Sequence, residues 1–260
     1  QDPIVAGLSN LSCLLWLTGH ADQSLDTANE AVDLANNLKH PFSQAYAHLF
    51  RAVVLHLRGN VAGLAEETKI LLDISTQYNF LFWQITATML QVWSQYQSSP
   101  SSKHVVHFEQ ALNQYQATGS RLALSYYKSM LADLYCSEKK YAEALLLLDG
   151  TINDGNSRGD LFFMPELIRM KANTLYAMSG NHITSLQLLD QANSLAIQQG
   201  ANSIQLRIAI SRHELLMNAV EDSQYSANYA EIRELLTRIT EGQNCSDVLT
   251  AKRISASPQD

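Results

Sequence analysis

Apolar and polar positions along this chain recur with two nested periods. A candidate turn residue stands at Gly19, Gly59, Ser99, Lys139 and Gly180, in steps of 40, 40, 40 and 41 residues. A second column follows twenty residues behind the first, at Lys39, Asn79, Gly119, Gly159 and Gly200. Glycine and asparagine suit the second column because they tolerate the left-handed backbone that ends many helices. Between the turns the apolar or small positions fall at helical spacing. Six residues past the first column come Leu25, Ala65, Val105, Leu145 and Leu186; nine past it come Ala28, Thr68, Phe108, Leu148 and Leu189; twelve past it come Ala31, Leu71, Ala111, Thr151 and Ala192. Steps of three, with Val32, Leu72, Leu112 and Ile152 one residue further, mark one face of a helix. Seven residues before the first column the side chains are mostly small (Ser12, Ala52, Val92, Ala132, Asn173), which allows two helices to approach closely.

Each unit therefore reads as helix A, a tight turn, helix B and a second turn. The pattern predicts an all-α solenoid of about six antiparallel hairpins, near 1–39, 41–79, 81–119, 121–159, 161–200 and 202–241, with its sixth turn near Asp222. One hairpin cannot bury its apolar stripe alone, and stacking against neighbours buries it. Residues 1–242 are expected to form this domain, with a short helix around Asp247–Ile254 and a loose tail in 243–260. Ser98-Ser99-Pro100-Ser101-Ser102 reads as a loop, with Pro100 expected at the start of the next helix.

Composition supports this reading. The 260 residues are 46% hydrophobic and 17% charged, enough to build a core, and 11 Gly and 5 Pro favour long helices over strands and turns. A formal net charge of -7 and the lack of a Lys/Arg cluster argue against nucleic acid as a partner. Apolar runs such as Ala144–Leu148 are far too short to span a bilayer. Cys13, Cys136 and Cys245 are widely spaced and odd in number, which suggests neither a disulfide framework nor a zinc site and fits a reducing cytoplasm. The chain opens on Gln1 without Met or a signal-peptide pattern, and is read as part of a longer polypeptide.

The two-helix unit resembles the tetratricopeptide (TPR) class, with Ala144 in Lys140-Tyr141-Ala142-Glu143-Ala144-Leu145 at the usual small position of helix B and Ala31, Ala111 and Ala192 at the second. Its 40-residue unit, longer than the standard one, resembles the superhelix of maltose-regulon-activator-type signalling ATPases. Further stretches are similar to the C-terminal helical region of large bacterial predicted ATPases linked to adenylate/guanylate cyclase domains. They are His40 to Ala47, Ala117-Thr118-Gly119 with Leu131 to Tyr135, Ala192 to Gly200 with Leu206-Arg207, and Thr240-Glu241-Gly242 with Asp247 and Ala251-Lys252. The chain departs from that family at Ile204-Gln205-Leu206-Arg207, where Trp-Glu-Leu-Arg is frequent, and in its Ser-Pro-Gln-Asp end. The resemblance implies a right-handed TPR-like superhelix serving as a regulatory or scaffolding module, with the nucleotide chemistry N-terminal to it. It transfers no catalytic residue, and no GxxxxGK[ST] phosphate loop is present.

Candidate chemistry is sparse. His104 and His107 share a helix face but lack further ligands, so a solvated or packing pair is expected. Cys13 and Cys136 have no activating partner in the pattern. Glu66-Glu67, Glu138 with Glu143, and Glu221-Asp222 read as surface charge. Helix A is expected to line the concave side of the stack. Superposed repeats place Trp16, Tyr46, Leu49, Val53, His56, Trp93, Tyr96, Tyr126 and Asp133 there, as an aromatic groove for an extended peptide or helix. The expected function is non-catalytic: a cytoplasmic protein-interaction module without cofactor or metal. Its partner is a protein or peptide, such as the ATPase or cyclase portion of the same polypeptide. A free-standing receptor for a peptide or small ligand is the alternative.

Overall fold

A computed structural model describes residues 1–217 and 222–256, and among these the regular structure is thirteen α-helices with no strand. The chain forms two compact units, Gln1–Leu122 and Ala123–Asp260. The first holds α1 (Pro3–Thr18), α2 (Ala21–Leu38), α3 (Pro41–Leu57), α4 (Val61–Gln77), α5 (Leu81–Ser98) and α6 (Ser102–Ala117). The second holds α7 (Leu124–Ser137), α8 (Tyr141–Arg158), α9 (Met164–Ser179), α10 (His182–Gln198), α11 (Asn202–Leu216), α12 (Asp222–Arg238) and α13 (Ser246–Ala256).

Within each unit successive helices pack against one another, and each odd-numbered helix also touches the next odd one: α1 with α3 and α3 with α5, then α7 with α9, α9 with α11 and α11 with α13. The odd helices thus form one layer of each unit. Residues about forty apart come side by side in that layer.

The two turn columns explain why the helices stop where they do. Backbone φ is positive at Gly19, Gly59, Lys139 and Gly180, and again at Lys39, Asn79, Gly119, Gly159 and Gly200. Ser99 departs from its column: its φ is -150°, and α5 runs on to Ser98. Pro100 does not open α6. It precedes Ser101, whose hydroxyl accepts from the Lys103 N–H, so a serine cap starts that helix. Prolines that do sit in a first turn are Pro3, Pro41 and Pro165. Asp2, Asn60 and Asn181 cap α1, α4 and α10 by accepting from backbone N–H groups two or three residues on. α7 and α9 begin at Leu124 and Met164, because residues 121–123 and 161–163 are spent in turns. The sixth turn was expected near Asp222; residues 218–221 are outside the described residues, and Asp222 is the first residue of α12. Of the tail, 257–260 is likewise outside them.

The second and third apolar columns of the even helices are buried as expected, but at the first column the buried residue stands one position earlier, except in α6, where Val105 itself is buried. Leu25, Ala65, Leu145 and Leu186 are only half-buried, whereas Ser24, Leu64, Ala144 and Ser185, one position earlier, are fully buried. With Ala28, Thr68, Leu148 and Leu189, then Ala31, Leu71, Thr151 and Ala192, they follow the four-then-three spacing of one helix face. Leu64 apart, this column is small, and in the first hairpin it meets the facing helix directly. Ser24 Oγ donates to the Ser12 carbonyl of α1 at 2.7 Å. The core of the first hairpin gathers Val5, Ala31, Val32 and Ala35 with Ala47 of α3. Outside the core, cations of odd helices reach carboxylates of even ones: Lys171 to Asp149 (2.6 Å), Arg212 to Asp190 (2.8 Å) and Arg212 to Glu231 (2.7 Å). Partly exposed pairs of this kind orient helices and contribute little stability.

Candidate functional site

The odd-helix layer of the second unit carries a concentration of buried charge. Glu166 of α9 is 4% exposed. It accepts from Arg169 Nε and Nη2, both at 2.8 Å, and from Arg207 Nη1 of α11 at 3.1 Å. Arg207 Nε donates in turn to Asp247 Oδ2 of α13 at 2.7 Å. Two carboxylates and two guanidiniums make a set with no net charge across three successive odd-numbered helices, and repeat geometry puts them there: 166, 207 and 247 are about one period apart. Burial alone would raise the Glu166 pKa, but Arg169 and Arg207 outweigh it and hold it down at about 2. Both guanidiniums are likewise held in the charged state against the cost of burial, Arg169 mainly by Glu166 and Arg207 by Asp247 and Glu166.

Beside this set lies a pocket of about 380 Å³ between α7, α8 and α9, lined in part by Asp133, Cys136, Tyr141, Arg169, Asn173 and Thr174. Its α9 wall is fixed from behind: Arg169 Nη1 and Asn173 Nδ2 both donate to Ser211 Oγ at 2.9 Å. Asn173 Oδ1 is buried and has no hydrogen-bond partner. The wall is therefore held rigid, and the pocket sets the carboxylate of Asp133 on α7 opposite Arg169 and Asn173 of α9.

Nucleophilic chemistry is disfavoured here. Burial pushes the Cys136 thiol up, opposed by a hydrogen bond with Thr174 (3.1 Å) and reinforced by the Asp133 charge. Burial pushes Cys13 up to about 12. A shift of that size from the ordinary 9.0 cuts the thiolate fraction on the order of a thousandfold. Iodoacetamide is accordingly expected to alkylate both thiols of the native chain at pH 7.5 at least about tenfold more slowly than the denatured chain, followed by mass spectrometry. Prompt labelling of either in the native chain would contradict this environment. Among the described residues no three His, Cys, Asp or Glu side chains come together to hold a metal. His104 is half-buried against the edge of Tyr96, 6.4 Å between ring centres, and His107 is exposed.

The groove residues expected from the sequence divide by burial. Trp16, Tyr46, Leu49, Tyr96 and Tyr126 are buried, at 2%, 8%, 3%, 5% and 5% exposure. They pack between helices rather than line an open surface, because large aromatics at helix-A positions fill the spaces between hairpins. Tyr46 stacks on Phe50, meets Trp83 edge-on and accepts from Asn10 through its hydroxyl; Tyr126 lies edge-on to Phe163. Val53, His56, Trp93 and Asp133 keep partial exposure. In the first unit His56 and Trp93 meet edge-to-face at 4.4 Å, and in the second Asp133 lines the pocket.

The paired carboxylates also divide. Glu66 is exposed beside Lys69, but Glu67 is not surface charge: it is 4% exposed and accepts from His48 Nδ1 at 2.6 Å and Arg51 at 2.5 Å. Burial would raise its pKa, and the bonds from His48 and Arg51 bring it below the usual value. Of Glu138 and Glu143, one is half-buried and one exposed, while Glu221 lies outside the described residues. Glu166, Arg169 and Asn173 were not singled out by sequence. The available clue was a carboxylate in the helix-A column that elsewhere holds Tyr46 and Tyr126.

No family model matches the chain. An uncharacterised protein of Rhizobium meliloti (strain 1021) is 24% identical over 216 residues, covering 83% of this chain and 21% of its own length. The chain thus spans about a fifth of that relative. Among solved structures, the apo form of RapI gives a TM-score of 0.65 at 14% identity, over 92% of this chain and 86% of that one. A Rap protein complexed with competence and sporulation factor gives a TM-score of 0.67 at 14% identity, over 94% of this chain and 66% of that one. The fold is that of TPR-like helical-repeat proteins. Among the described residues no helix is long and apolar enough to cross a membrane.

Proposed function

We propose that this chain is a non-catalytic protein-interaction module, its residues 1–242 acting as one helical-repeat domain. In this reading it is the sensor or scaffold part of a larger cytoplasmic signalling ATPase or cyclase-linked bacterial protein. Its ligand is an extended segment of protein, taken in the second unit by the α7–α9 pocket; the partly exposed Val53, His56 and Trp93 are a separate candidate surface of the first unit. The observation that carries this is the α7–α9 pocket of about 380 Å³, where the carboxylate of Asp133 stands beside an α9 wall fixed by Ser211 through Arg169 and Asn173. An extended segment supplies backbone N–H donors at regular spacing. A wall that is already rigid loses little entropy on binding. A protein of the same fold has been solved in complex with competence and sporulation factor, and the much greater length of the matched relative leaves room for a catalytic portion.

Calorimetric titration with the ATPase portion, and with pooled extended peptides, tests this. Asn173→Ala and Asp133→Ala are each expected to weaken binding about tenfold, or 1.4 kcal/mol, with the thermal midpoint little changed. Unchanged affinity in both variants would overturn the assignment of the pocket. A second reading, a free-standing receptor for a small ligand, draws on the pocket's volume of about 380 Å³, which falls within the range of small-molecule sites. Saturable binding of a metabolite in the absence of any peptide would favour it.

A further inference from the structure

The outer face of α1 is apolar and uncovered, and the repeat register identifies what covers such a face. α1 contains no Asp, Glu, Lys or Arg in its 16 residues. Val5, Ser9, Ser12 and Trp16 face inward. On the other side Ile4 is 62% exposed, Leu11 45% and Leu14 49%, and a Cβ placed on Gly7 between them would meet nothing within 4 Å. These four positions recur one and two periods later in α3 and α5, where they are the contact face toward the preceding hairpin. Gly7 corresponds to Ala47 and Ala87, both fully buried; Leu14 corresponds to Val54 and Ser94, buried as well. Ala47 packs directly on Ala31, Val32 and Ala35 of α2. The partners of Ile4 and Leu11 reach the same neighbour through polar groups: Gln44 to Asn36 (3.0 Å), Gln84 to the Ser75 carbonyl (2.8 Å) and Arg51 to Asn29 (3.5 Å).

A helix that ends an array carries a polar outer face. α13 is of that kind: Ser246, Lys252 and Arg253 are exposed beside a single exposed leucine, Leu249. α1 is the reverse. The geometry points to a further hairpin of the same class, N-terminal in the same polypeptide, whose second helix packs on Ile4, Gly7, Leu11 and Leu14. A second copy of the chain fits less well. Three side chains at these exposures offer a few hundred Å², against the roughly 800 Å² per partner of a stable intermolecular interface. A tethered helix needs no such area, because its effective concentration is set by the linker. The matched relative, of which this chain covers 21%, shows that related sequence occurs within far longer polypeptides.

The test uses Leu14→Cys on a Cys13→Ser background, in this chain and in the polypeptide extended by the residues encoded directly upstream. Maleimide labelling is followed by mass spectrometry. Alkylation is expected to be at least about tenfold slower in the extended polypeptide, as for a buried thiol, and Leu14→Asp to lower the thermal midpoint of that form only. Equal labelling in the two forms overturns the inference. So does protection of this chain alone that rises with its concentration, which would assign the face to a second copy. Neither result bears on the α7–α9 pocket, whose ligand titration stands apart.

Discussion

Glu166→Gln is expected to destabilise the second unit by about 3 kcal/mol at neutral pH, toward the lower end of what breaking a buried ion pair costs. The reason lies in what remains. Arg207 keeps Asp247, and Arg169 keeps Ser211, but Arg169 Nε and Nη2 both lose the carboxylate they donate to. A neutral amide returns one acceptor oxygen and no charge. The pH dependence carries a definite sign. Glu166 is depressed from 4.5 to about 2 in the folded chain. Its contribution is therefore fully present above about pH 4.5, and is lost as pH falls through the folded value near 2. Native-state hydrogen exchange of α9 and α11 amides at pH 6, 4 and 3 separates this from events in the first unit. The unsubstituted chain should lose protection in α9 and α11 down that series, and Glu166→Gln should start lower and lose less, because its amide does not titrate. If both forms fall in parallel from equal protection at pH 6, the four-charge set does not stabilise the unit. A triple replacement of Glu166, Arg169 and Arg207 by apolar residues of similar volume should recover much of the loss, since the full set also carries a desolvation cost.

The repeat was legible because its punctuation obeys backbone sterics. Gly19, Gly59 and Gly180 in one column, with Asn79, Gly119, Gly159 and Gly200 in the other, occupy a conformation that few residues enter without cost. Lys39 and Lys139 adopt it too, and only their place in the period pointed to them. Ser99 marks the limit of that logic: a serine cap at Ser101 does the work of the turn, and the left-handed residue is absent. The first core position of α2, α4, α8 and α10 lay one residue before its apolar column, while Val105 of α6 held its place. Hydropathy favours Leu25, Leu145 and Leu186, yet the fully buried position belongs to Ser24, Ala144 and Ser185, and in α4 to Leu64. A small polar residue that donates to a neighbouring carbonyl, as Ser24 does to Ser12, is invisible to an apolar count.

The same blindness hid the site. Glu67 and Glu166 look like surface carboxylates until their partners are known, and those partners come from other turns or other helices. Arg169 lies one turn from Glu166 and could have been paired with it locally. Arg207 and Asp247 meet it only once the helices stack. Asn173 gave no warning at all, since an asparagine in the helix-A column reads as an ordinary small residue until Ser211 is placed behind it.

Trp16→Ala is expected to cost the first unit about 3–5 kcal/mol, as for other large aromatics deleted from cores, and to do so without any ligand present. Trp16 is 2% exposed on the inner face of α1, and its carbonyl accepts from the Gly19 N–H where the helix ends. Removing the indole leaves a void in a close-packed interior, which the surroundings can refill only in part. Trp93→Ala makes the contrast. Trp93 is only half-buried and meets His56 edge-on at 4.4 Å, so its loss forfeits an aromatic contact of about 0.5–1.5 kcal/mol and part of its burial. Thermal and urea unfolding of the two variants, read beside calorimetric titration with peptide pools, places each tryptophan. The expected pattern is a large stability loss for Trp16→Ala, and a small one for Trp93→Ala with any change in affinity confined to it. A Trp16→Ala chain that unfolds like the parent but no longer binds would return Trp16 to an open groove. That outcome would mean the space between α1 and its neighbours is a ligand site rather than packing.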